Sequence, residues 1–104
     1  MTSGIPQKSL NMIIETIDKS PEIDKAAIFG SRAMGNYKNG SDVDIAIFGN
    51  KIKPEIINRL SVLLNEELPL PYYFDIVHYE SLKDEKLKKH IDIHGKYIYI
   101  RQYS

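Results

Sequence analysis

Gly30-Ser31 is followed, after the ten residues Arg32 to Ser41, by Asp42-Val43-Asp44, and a further aspartate, Asp75, sits in a later apolar run. These residue types handle phosphate and hard cations. Side chains on a strand alternate between its faces, so Asp42 and Asp44 project together while Val43 points the other way. Two carboxylates held this close repel each other, more strongly as water is withdrawn, and a divalent cation removes that penalty. Oxygen-only ligands suit Mg²⁺, which keeps several waters and recruits phosphate oxygens. The same D-x-D pair on a solvent-facing strand edge would need no ion. Against that plain reading stands Ile45-Ala46-Ile47-Phe48. Apolar on both faces, it marks an interior strand whose first two carboxylates lie at a pocket rim.

Gly30-Ser31 closes a short apolar run and leads into Arg32-Ala33-Met34-Gly35. A strand turning into a helix at Gly-Ser presents backbone N–H groups and a hydroxyl, with the helix N-terminus adding partial positive charge. Glycine lets a phosphate approach the backbone closely. Arg32 could pair with phosphate oxygens or with a nearby carboxylate such as Asp42. By itself Gly-Ser is a common turn. Asp75 lies between Phe74 and Ile76, where an unpaired aspartate would be costly, so it calls for a partner or a cavity. A cation is one partner; Arg32 or a lysine is the other.

The elements that must position these groups follow from periodicity. Leu10, Ile13, Ile14 and Ile17 recur at helical spacing, predicting a helix from about Pro6 to Lys19 that Ser20-Pro21 ends. Ala26 to Phe29 and Asp42 to Phe48 read as strands. Pro54 opens a helix with Ile56, Ile57, Leu60, Leu63 and Leu64 inward. Leu68-Pro69-Leu70-Pro71 is a stiff connector, and Tyr72 to Tyr79 a third strand. Ser81 and Asp84 resemble a capping box before a weaker helix to about His94, with Gly95 as its C′ residue; Tyr97 to Arg101 makes a last strand. The order predicts an α/β (α+β) domain spanning 1–104, a mixed sheet of about four strands with helices packed mainly on one side. Strand order and direction stay open.

The bounds on function are equally plain. Fourteen basic residues balance fourteen acidic ones in 104, whereas a protein that tracks nucleic acid carries a basic excess. The stretch from Lys83 to Arg101 has a mild basic surplus, read as a solvated helix face and strand edge. The absence of cysteine excludes thiolate chemistry and disulfides. No signal-peptide core and no apolar run of about 18 residues is present, so a cytoplasmic protein without membrane segments is expected. Among the histidines, His78 lies an odd number of residues from Asp75, and His90 and His94 sit one helical turn apart without an evident third ligand. All three are left out of the chemistry, as Tyr97 and Tyr99 are left to sheet packing.

Taken together, Gly-Ser, ten residues and Asp-x-Asp resemble the signature of the DNA polymerase β-like nucleotidyltransferase superfamily. The fuller text GSRAMGNYKNGSDVDIAIFG, with YYFDIVHYESL downstream, is similar to its minimal nucleotidyltransferase (MNT) branch. That resemblance implies that Gly30 and Ser31 hold the β- and γ-phosphates of ATP. It implies that Asp42 and Asp44 bind two Mg²⁺ ions and that Asp75 completes the metal site near the attacking oxygen. It further implies transfer of AMP to a hydroxyl of a HEPN-like helical partner, encoded by the adjacent gene, in an antitoxin role. Two other readings stay open: an antitoxin that acts by contact alone, and nucleotidyl transfer to a small molecule such as an aminoglycoside. The base of the nucleotide and any homo- or hetero-oligomer are not specified.

Overall fold

A computed structural model describes residues 4–38 and 40–103. Its elements run α1 (Gln7–Asp18), β1 (Lys25–Phe29), a single turn α2 (Ser31–Met34), β2 (Val43–Phe48), α3 (Pro54–Val62), β3 (Phe74–His78), α4 (Glu85–His94) and β4 (Lys96–Ile100). The expected helices and strands are all present with most ends shifted by a residue or two, and the start of α4 by three. Asp42 falls just before β2 rather than in it.

The four strands form one mixed sheet in the order β3-β2-β1-β4. β1 runs antiparallel to both β2 and β4, while β2 and β3 are parallel. Parallel neighbours need a crossover, and α3 supplies it. β2 is therefore central and buried on both faces, as its unbroken apolar run requires. β3 and β4 are the edges.

Alternation along the strands separates two cores. Ala26, Ile28, Val43, Ile45, Ile47 and Phe74 face Leu10, Ile13 and Ile17 of α1 and Leu60 of α3. The opposite set, Ala27, Phe29, Ala46 and Phe48, meets Ile91 and Leu87 of α4. Two long helices thus cover one face, as expected, and α4 covers part of the other. By parity Asp44 and Asp75 belong to the α4 side. Each fully buried isoleucine contributes about 1.5–3 kcal/mol, so the face with α1 and α3 is the main source of stability.

Local chemistry sets the boundaries. Asp84, rather than Ser81, caps α4: its Oδ1 accepts from the backbone N–H groups of Lys86 and Leu87 at 3.0 and 3.2 Å. Gly95 ends the helix without entering the left-handed region (φ −60°). Glycine is needed there because a Cβ would lie 2.5 Å from the Ile91 carbonyl oxygen. After α3 the chain widens into a π-type turn, Leu63–Glu67. That turn delivers Asn65, whose Oδ1 accepts from Phe74 N–H at 2.7 Å and whose Nδ2 donates to Phe74 C=O at 3.0 Å. The start of edge strand β3 is thereby pinned one residue before Asp75.

Candidate active site

The C-terminal end of β1 and the N-terminal ends of β2 and β3 meet at one end of the sheet. In register, Phe29 pairs with Asp44, and Asp44 with Asp75. Neighbouring strands lie about 4.8 Å apart, which brings the two aspartates side by side on one face. Gly30 follows Phe29 directly, and a Cβ built on it would lie 2.3 Å from Asp44 Oδ2. Turn and carboxylate are in contact. Gly30 itself has φ 74° and ψ −152°, a region that side chains rarely enter, so glycine is required by backbone and neighbour alike.

The electrostatics agree with the register. The Asp44 carboxyl is pushed above its ordinary 3.8 by burial first, then by repulsion from Asp75 and from Asp42. Both neighbouring carboxylates therefore bear on Asp44. Among the described residues, however, no three of the His, Asp and Glu side chains are gathered closely enough to hold an ion. The donor set is all oxygen, with Asp42 and Asp75 exposed and Asp44 partly buried at the strand ends. That chemistry fits Mg²⁺.

Asp75 departs from expectation in one respect. Its apolar neighbours suggested burial, yet the side chain is exposed, because β3 is an edge strand. It needs neither an arginine nor a lysine to offset desolvation.

Arg32 departs further. It is only 3% exposed, with Nε and Nη2 donating to the Ser41 carbonyl at 3.2 and 2.9 Å. Its guanidinium lies 4.9 Å from the ring centres of both Tyr37 and Tyr72. Expected beside the nucleotide, Arg32 instead braces the loop between the Gly-Ser turn and the D-x-D pair, and fixes the residue that precedes Asp42. α2 is one turn long, so its dipole adds little, and the turn's value lies in its donors. None of the hydrogen bonds among the described residues uses the amide or hydroxyl of Ser31.

One group escaped the sequence reading. His90 is half-buried rather than exposed, and its Nε2 accepts a hydrogen bond from the Gly30 amide at 2.9 Å. Only the apolar spacing of Leu87 and Ile91 hinted that this face of α4 turns inward. His78 lies at the far end of β3, with Nε2 2.7 Å from the Gly49 carbonyl and Nδ1 2.7 Å from the Ser81 hydroxyl. Of the basic residues in the C-terminal stretch, Arg101 is engaged within the fold: it donates to the carbonyls of Ile23, Ser20 and Asp18. A surface pocket of about 260 Å³ opens at the opposite end of the sheet, lined by residues including Glu22, Asp24, Asn50 and Tyr103. It has no part in the carboxylate site. No helix among the described residues is long and apolar enough to cross a membrane.

Comparison with known proteins gives the arrangement relatives. The family model of polymerase beta nucleotidyltransferases matches residues 11–104. Curated proteins yield no match. Among solved structures, a chain of a toxin–antitoxin complex crystallised with AMP-PNP aligns with TM-score 0.72 at 21% identity, over 94% of this chain and 76% of that one. A chain of the MntA–HepT toxin–antitoxin structure aligns with TM-score 0.70 at 22% identity, over 92% and 74%. A tri-AMPylated Shewanella oneidensis HEPN toxin in complex with MNT antitoxin supplies a third, with TM-score 0.69 at 23% identity, over 91% and 72%. At these identities the likeness is one of fold.

Proposed function

The chain belongs to the polymerase beta nucleotidyltransferase family, and on that premise we propose that it transfers AMP from ATP, with Mg²⁺, to a hydroxyl of a HEPN-like partner protein, as the antitoxin of a toxin–antitoxin pair. The observation that carries the reading is the in-register pair Asp44–Asp75 with Gly30 packed against the Asp44 carboxylate. Its fold relatives include an MNT antitoxin in complex with an AMPylated HEPN toxin, which supports the choice of nucleotide and acceptor. A partner encoded by the adjacent gene is part of the same proposal.

The reaction divides among the residues as follows. The Ser31 hydroxyl and amide receive the triphosphate tail, with Gly30 leaving room for its approach. Asp42, Asp44 and Asp75 would hold Mg²⁺, which when bound neutralises phosphate charge and stabilises the entering and leaving oxygens. The acceptor oxygen bonds to the α-phosphorus as the bond from that phosphorus to the bridging oxygen breaks. Pyrophosphate leaves with the electron pair. Asp75 takes the hydroxyl proton, its exposed position on the sheet edge giving a bulky acceptor access. Placement and charge compensation do the remaining work, and Arg32 serves placement by holding Ser41.

The test mixes purified protein, Mg²⁺, α-labelled ATP and the neighbouring gene product, comparing wild type with Asp44→Asn. Label appearing on the partner only with wild type supports the proposal. Equal silencing of the partner by both proteins, without label, replaces it with an antitoxin that acts by contact.

A further inference from the structure

We propose that His90 is a positioning residue for the nucleotide-binding turn, acting through the Gly30 amide. This role rests on the transferase reading above. Gly30 sits where β1 has ended and α2 has not begun. Its N–H therefore has neither a ladder partner nor a helical one, and a half-buried backbone donor is best satisfied by an acceptor from elsewhere in the fold. His90, sixty residues away in sequence, provides it at 2.9 Å.

The bond dictates the state of the ring. A nitrogen that accepts must carry a lone pair, so Nε2 is unprotonated and the ring proton resides on Nδ1. Orientation is held from two sides. The Phe29 ring meets His90 edge-on at 6.1 Å, and Ile91, the next residue of α4, is buried against β1 and β2. The imidazole thus has a fixed place over the turn.

Two consequences follow for the site. With the Gly30 amide occupied by His90, the Ser31 amide and hydroxyl are the donors left to meet a phosphate. Gly30 also lies against Asp44 Oδ2, so a turn that rotates to satisfy its amide elsewhere would shift that carboxylate too. One hydrogen bond from α4 sets both the anion-binding donors and the neighbouring metal-binding oxygen.

The test uses the full chain with its partner, a fluorescent ATP analogue and Mg²⁺. In His90→Ala no acceptor remains; in His90→Gln the amide oxygen replaces Nε2. Removing the bond should weaken analogue binding and slow transfer by about five- to tenfold, the worth of a single hydrogen bond, and should speed exchange of the Gly30 amide proton. Gln should restore most of each. Nitrogen-15 spectra of wild type should show Nε2 unprotonated. Active wild type with an unaffected Ala variant overturns the role, as does a folded Gln variant no better than Ala, or a protonated Nε2. Wild type inert towards both nucleotide and partner overturns the transferase reading and this role together.

Discussion

Replacing Gly30 with alanine separates the demands placed on the turn between β1 and α2. The backbone at φ 74°, ψ −152° lies in a region that costs a non-glycine residue about 1–3 kcal/mol. In a chain of this size that lowers the melting temperature by roughly 5–20 °C. The new methyl would also stand 2.3 Å from Asp44 Oδ2, well inside contact distance, so either the carboxylate or the turn must move. A displacement of about 1 Å at a reacting centre costs on the order of 100-fold in rate. Gly35→Ala is the control: it has a comparable φ of 82°, but nothing lies within 4 Å of an added Cβ. It should lose stability and keep transfer activity. The assay pairs thermal melts with the initial rate of label transfer to the partner. A Gly30→Ala protein that melts lower yet transfers at the wild-type rate would refute the coupling of turn to carboxylate. So would a Gly35→Ala protein that is equally inactive.

Asp44 links stability to pH. Its folded-state pKa is raised above 3.8, so the folded chain holds a proton that the unfolded chain has already released, and stability falls as pH rises from about 3.8 through the raised value. Asp44→Asn should melt higher than wild type at neutral pH, with the gap closing towards pH 3.8; a lower melt at neutral pH contradicts this. Mg²⁺ with ATP at about 100 times their dissociation constant should stabilise wild type by about 2.7 kcal/mol and leave Asp42→Asn/Asp44→Asn unmoved, as differential scanning fluorimetry would show. Asn65→Ala removes both bonds to Phe74 and should cost about 1–3 kcal/mol in urea unfolding. Transfer should fall with it, because the strand carrying Asp75 loses its anchor; unchanged activity would dissociate that anchor from the site.

What was legible in the chain was short in range. The turn at Gly30-Ser31 follows from backbone freedom, and the central place of β2 from Ile45 to Phe48 being apolar without interruption. Each depends on contacts within a few residues. The Gly-Ser to D-x-D spacing likewise belongs to one hairpin-like unit, β1 to β2. The tertiary structure alone decided the rest, because those contacts join residues far apart in sequence. Asp75 becomes the neighbour of Asp44 through parallel pairing of β2 with β3, and apolar flanks could not reveal that β3 is an edge which leaves it exposed. Arg32 turns beneath its loop onto Ser41 rather than out towards a phosphate. His90 reaches Gly30 because α4 packs on the carboxylate face in one rotation, a choice made by Leu87 and Ile91 against the sheet. Periodicity can name the inward stripe of a helix, but which surface that stripe meets is settled by the packing of the whole chain.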